Sequence, residues 1–155
     1  MTRPRKVHPL FLAAAVPGVL HGVASLYWAT GGTFLADTVG EWALDMYRAD
    51  PVGVGAMLAV IGVAKLIAAL VPIANDAGRL PAPHFWRGLT WAGSVGIILW
   101  GLQGMVGGLL QFAGVWILTD RRGAIGHAFL WDPLFVLWGG LLVGALRRTR
   151  KRRWS

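Results

Sequence analysis

Along most of this chain apolar residues do not alternate with polar ones; they run together in four long stretches separated by short polar breaks. The stretches cover about 9–30, 52–74, 88–112 and 128–146. Each is long enough to cross a bilayer, which takes roughly 18 apolar residues or more. The breaks carry helix punctuation: Gly31-Gly32 after the first stretch, Asp50-Pro51 before the second, and Asn75-Asp76-Ala77-Gly78 after it. The third stretch begins near Gly88 and stays apolar to about Leu118, more than a bilayer needs. It therefore tilts, protrudes or turns interfacial after Gln111. Between the first two stretches the pattern changes. Val39, Trp42, Ala43 and Met46 recur at helical spacing, with Asp37, Glu41, Asp45 and Arg48 on the opposite face. That predicts a short amphipathic helix lying on the outer membrane surface, with Trp42 at headgroup level. Such a helix is either a packed lid that closes the bundle or a gate over a site, with Glu41 and Trp42 as its lid residues. The fold class is thus all-α, an integral membrane four-helix bundle with one short amphipathic outer helix, in a single membrane domain over 1–155.

Composition sharpens this picture. Of 155 residues 55% are hydrophobic and only 14% charged, far from the balance of a soluble domain. The net charge of +8 sits at the ends: Arg3, Arg5 and Lys6 open the chain, and the tail over 147–155 holds Arg147, Arg148, Arg150, Lys151, Arg152 and Arg153. Beside apolar spans these are topology signals, and nucleic acid is excluded as the partner. An even number of spans puts both termini on one side, so both are expected in the cytoplasm. Asp37, Glu41, Asp45 and Asp50 then fall outside, with Asp120, Arg121 and Arg122 as a mild contradiction. The first stretch is too long for a signal-peptide core and lacks a cleavage site, so it reads as a retained helix. Arg over Lys, with abundant Gly and Trp, fits a GC-rich bacterial genome, and hence a bacterial plasma (inner) membrane. The absence of cysteine excludes disulfides, thiolate metal sites and thiol redox chemistry.

Candidate chemistry lies where ionisable residues enter the spans. His21, Lys65 and Asp132 sit on the first, second and fourth stretches. A charge at mid-bilayer costs about 2.5–3.5 kcal/mol on insertion scales and normally faces the bundle interior with a partner. Lys65 and His21 reach similar depth, and a Lys65–Asp132 pair requires a stretched lysine or a bridging water. Ser25 and Trp28 share the His21 face at i+4 and i+7, while His127, Trp131, Phe135 and Trp138 form a stripe beside Asp132. Together they outline an aromatic-walled site in the outer half of the bundle: His21, Ser25, Trp28, Lys65, Trp131 and Asp132. Each residue also has a plainer reading. His21 satisfies a neighbouring carbonyl, Lys65 snorkels as a counter-ion, and Asp132 meets a helix dipole. Haem, metal and phosphate-loop sites find no support: His21 and His127 differ in depth, no His/carboxylate cluster has ligand spacing, and the glycines of the third stretch lie in an apolar helix. No metal and no cofactor is expected.

Small-xxx-small pairs at Gly18/Gly22, Gly104/Gly108 and Gly140/Gly144 provide close helix contacts, within the chain or with a second copy or partner subunit.

Two strings are distinctive: His21-Gly22-Val23-Ala24-Ser25-Leu26-Tyr27-Trp28-Ala29-Thr30-Gly31-Gly32, and His127-Ala128-Phe129-Leu130-Trp131-Asp132-Pro133-Leu134-Phe135-Val136-Leu137-Trp138-Gly139. They resemble the opening and closing motifs of a bacterial four-span membrane family described only as a domain of unknown function, number 3995. The resemblance covers His8 to about Leu146, implies the four-span architecture and brings no reaction. The sequence therefore predicts a small plasma-membrane protein, embedded in the lipid bilayer, that binds or translocates a small or amphiphilic ligand. The alternatives are a membrane enzyme acting on a lipid-like substrate, with catalytic residues unknown, and a non-catalytic subunit or scaffold.

Overall fold

The computed structural model describes residues 6–151. Arg3, Arg5, Arg152 and Arg153 of the basic ends lie outside the described residues. Six α-helices follow in order: α1 (Pro9–Ala29), α2 (Glu41–Ala49), α3 (Pro51–Asp76), α4 (Pro83–Phe112), α5 (Arg121–Phe129) and α6 (Trp131–Arg148), with a 3₁₀ turn at Ala36–Thr38. Among the described residues there is no strand. Four segments are long and apolar enough to cross a membrane: α1, α3, α4 and the run formed by α5 and α6. The ends of α1 and α6 nearest the termini lie together, and the connections after α1 and α4 form the opposite, loop end.

The helix starts are written locally. Proline opens α1, α3 and α4, where its missing N–H costs nothing. His8 Nδ1 accepts from the Leu10 N–H at 3.2 Å, and Asp50 Oδ1 from the Gly53 N–H at 2.8 Å. Asp120 caps α5 through the Gly123 N–H, also at 2.8 Å. Gly114 sits at φ +73 just past α4, a left-handed conformation that ends the helix. The third span therefore runs Pro83–Phe112, starting before the expected Gly88, and the apolar residues Val115 to Leu118 lie past its end in an exposed loop.

The fourth span differs most from expectation. A single helix from about Ala128 is replaced by two helices that break at Leu130 (φ −123, ψ −73). The cause is Pro133: it has no N–H for the carbonyl four residues earlier, that of Phe129, and its ring crowds that carbonyl. The chain turns there instead of continuing.

The helices pack in the order α3–α1–α6–α4, and α3 and α4 touch each other little. Close approach is made by glycine. A Cβ on Gly22 would lie 2.8 Å from Leu66 and 3.1 Å from the Gly62 carbonyl, while one on Gly62 would meet the Gly22 carbonyl at 3.0 Å. This reciprocal contact sets the α1–α3 crossing. Gly101, Gly104 and Gly108 of α4 lie against Asp132, Phe135, Ala124 and Ala128. The Gly104/Gly108 pair thus serves packing inside the chain, whereas Gly140 has nothing within 4 Å of a Cβ position. Toward the terminal end, Trp138 (2% exposed) fills the centre with Phe11, Ala14, Ala69 and Leu142. We expect Gly22→Val to destabilise the bundle by roughly 1–3 kcal/mol through overpacking, and Gly140→Val to leave a monomer unaffected. Thermal unfolding of the two variants in one detergent checks this.

Candidate functional site

His21 is buried on α1 and its Nε2 donates to the Trp131 carbonyl at 2.9 Å, which assigns the ring proton to Nε2 and makes Nδ1 the acceptor. Its ring stacks on Phe135 at 3.9 Å between centroids and tilts against Trp131 at 5.6 Å. Lys65 reaches this centre from α3. Its Nζ donates to Ser25 Oγ at 3.0 Å and lies 5.4 Å from the Phe135 ring centroid. Ser25 Oγ in turn donates to the His21 carbonyl at 3.1 Å, four residues back on the same helix. The hydrogen-bonded chain from Lys65 through Ser25 ends on the His21 backbone carbonyl, and the His21 ring bonds the Trp131 carbonyl separately; together these links join α3, α1 and α6, with Phe135 as the aromatic wall. Trp28 packs edge-on to Trp131 at 5.0 Å and closes the loop-end side.

Asp132 does not join this chain. Its carboxylate, 4% exposed, accepts at Oδ2 from His127 Nδ1 at 2.7 Å. It is backed against the α4 backbone at Gly104, where a Cβ would collide with it. The Lys65–Asp132 pair expected from sequence is thus replaced by a His127–Asp132 pair. The sequence places His127 in the stripe beside Asp132 but not in contact with it, because it stands five residues earlier. In a continuous helix these two positions point about 140° apart; the break at Leu130 turns them together.

The other nitrogen of His127, Nε2, lies 3.1 Å from the Val39 carbonyl. Both neighbours of the imidazole are acceptors, so the pair must share two protons. His127 therefore donates from both ring nitrogens, an imidazolium beside the Asp132 carboxylate, and the pair carries no net charge.

Around it the first loop docks on the second. Trp131 Nε1 donates to Thr38 Oγ1 at 2.9 Å, the Glu41 N–H to Asp120 Oδ2 at 2.8 Å, and Arg122 pairs with Asp37 at the surface. Gly126 lets the Thr38 carbonyl come so close that a Cβ would overlap it. Gly126→Ala is therefore expected to undock the loop. The chain has no cysteine, so a single Ala36→Cys probe reports directly: its labelling should speed up by about fivefold or more for an overpacking cost of about 1–3 kcal/mol.

The lid residues sit apart from the His21 centre. Trp42 is 61% exposed and Met46 43%, and α2 rests instead on the half-buried Ala43, Leu44 and Tyr47. These cover an apolar pocket of about 100 Å³ together with Trp28 and Leu58. Glu41 lines a separate, mixed-charge hollow of about 460 Å³ between α2 and the start of α5. At the terminal end lies a second polar cluster that sequence reading took for a simple helix stop. Buried Asp76 accepts the His8 N–H at 2.7 Å, Asn75 donates to the Pro83 carbonyl at 3.1 Å, and Arg87 donates to Thr149 Oγ1 at 2.9 Å and to the Leu146 carbonyl. Among the described residues no group of three or more His, Asp or Glu is placed to hold a metal.

No curated protein and no solved structure is significantly similar to the chain. The family model described as Protein of unknown function (DUF3995) matches residues 18–142, which include both distinctive strings and the whole His21–Lys65–Trp131 centre. The chain belongs to that family.

Proposed function

We propose that the protein binds or translocates a small or amphiphilic ligand at the centre formed by His21, Ser25, Lys65, Trp131 and Phe135. The observation that carries this reading is the placement of a lysine near the middle of α3, about 21 Å from its start by helix rise, whose one hydrogen bond among the described residues is to the neutral Ser25. Structural polar residues in spans are expected to be matched, as His127 and Asp132 are. An ammonium with spare donors, a histidine with an acceptor nitrogen and aromatic walls form the kind of surface a ligand completes. Asp132 belongs in this reading as the residue that positions the Trp131 carbonyl and the first loop. Trp28 closes the site and α2 covers its approach.

In this proposal the protein resides in a bacterial plasma membrane with both termini cytoplasmic, so the loop end faces outward. The basic C-terminal tail and Lys6 support that orientation. A cytoplasmic and a periplasmic reporter fused after Ser155 test it: activity of the periplasmic one alone contradicts it.

The binding reading is tested by mass spectrometry of molecules that co-purify with wild type and with His21→Ala from mild detergent. A small molecule or lipid enriched in wild type and lost from the folded variant supports a site. Identical contents in both favour a scaffold or subunit.

A further inference from the structure

The charge balance of the bundle interior points to the kind of ligand. His127 and Asp132 neutralise each other, because two acceptors flank the imidazole and it donates to both. Asp132 is held against the α4 backbone at Gly104 and cannot swing toward α3 without breaking that pair. Lys65 is left with no carboxylate partner among the described residues. Its ammonium has three donors, and the protein uses one, toward Ser25 Oγ. The Phe135 face beside it offers a weak attraction that requires no counter-charge. A half-buried cation at this depth is costly unless an anion joins it.

The surroundings also select what carries that anion. Leu58 lies seven residues before Lys65 on α3, and Trp28 seven residues after His21 on α1, so each shares a helix face with its partner. Both line the apolar pocket under α2, about 10 Å toward the loop end by helix rise. The pocket does not include Lys65, and the Trp28 indole stands between the two, so a molecule with its head at the ammonium and its body against Leu58, Ala43 and Tyr47 reaches both only when that indole moves aside.

We infer that the ligand is an organic acid, an apolar body bearing one anionic oxygen head (carboxylate or phosphate), and that Lys65 Nζ is its counter-ion. This rests on the binding reading above and gives it a ligand class. The spare ammonium donors bond the head oxygens, and His21 Nδ1 is an acceptor for the remaining O–H of a phosphate monoanion head. Arginine at position 65 keeps the charge but alters the geometry; methionine removes the charge and keeps an apolar stem of comparable length.

Four ten-carbon probes distinguish the possibilities: decanoate, decyl phosphate, decanol and decyltrimethylammonium. Each is titrated below its micelle concentration into protein stripped of co-purified lipid. Melting temperature and tryptophan emission are read on wild type, Lys65→Met and Lys65→Arg. Ligand binding to the folded state raises the melting temperature by mass action. The expected result is stabilisation by one or both acids, at least tenfold weaker affinity in Lys65→Met, and retention of part of it in Lys65→Arg. The two acid arms tell a carboxylate head from a phosphate head. Equal binding of decanol, or of the acids to wild type and Lys65→Met alike, overturns the anionic class while the co-purification test of a site still stands. No response to any probe overturns the inference as well. Co-purified molecules identical in wild type and His21→Ala, by contrast, would remove the underlying binding reading itself.

Discussion

Asp132→Ala is expected to destabilise the folded chain by about 1–3 kcal/mol, less than the loss of one partner from a fully buried ion pair because the His127 side chain is 37% exposed. The reason lies in how many contacts converge on that carboxylate. Asp132 is 3% exposed and accepts a hydrogen bond from His127 Nδ1, while His127 Nε2 donates to the Val39 carbonyl. Without Asp132 the imidazole loses its counter-charge, and the link from α6 through α5 to the first loop is cut. The neighbouring tie, Trp131 Nε1 to Thr38 Oγ1, would then hold that loop with Asp120 and surface contacts alone. Asp132→Asn keeps an acceptor for Nδ1 and should cost less. The double replacement His127→Leu/Asp132→Leu should recover part of the loss, since removing both partners leaves no orphaned charge. Denaturant or thermal unfolding in a fixed detergent measures the order: wild type, then Asn, then Ala. An Asp132→Ala protein as stable as wild type would show that the pair does not hold the loop end together.

Much of this architecture was legible in the residues. Apolar runs longer than a bilayer needs, proline at helix starts and Asp50 before Pro51 act locally, so they can be read without knowing the fold. The depth match of His21 and Lys65 follows from helix rise, and in the structure Lys65 reaches the His21 backbone carbonyl through Ser25 while both side chains lie against the Phe135 ring.

What escaped the sequence depended on departures from regular periodicity or on distant partners. His127 meets Asp132 only because the helix breaks at Leu130, and the effect of Pro133 was visible as a residue but not as a turn of the chain. Asn75 and Asp76 look like a polar helix stop. They are buried because the N-terminal segment and Pro83 return to them, Asp76 meeting His8 at a separation of 68 residues. The apolar face assigned to α2 had the right periodicity but the wrong emphasis. Trp42 and Met46 are exposed where they can meet lipid, and Tyr47 and Leu44 pack inward, a choice made by the position of α3 and not by the helix itself.

Lys65→Met is expected to act in the opposite direction from Asp132→Ala and to stabilise the ligand-free protein. The lysine forgoes most of its hydration for one hydrogen bond to a neutral hydroxyl and a contact with the Phe135 ring. Ser25 keeps its own bond to the His21 carbonyl when the ammonium is gone, so no buried hydroxyl is stranded. Methionine fills a similar path and is indifferent to the apolar surroundings. The gain should be about 1–3 kcal/mol, the insertion cost of a central cation less the contacts it makes. A residue that lowers stability at the centre of a bundle is what a binding site retains at the expense of folding.

The most direct measurement is therefore the melting temperature of Lys65→Met beside wild type, both stripped of co-purified lipid and held in the same detergent. A higher melting temperature for Lys65→Met is the predicted result, marking Lys65 as a group kept for a ligand. A clear fall would contradict the account, because it would make Lys65 one of the residues that hold the bundle together.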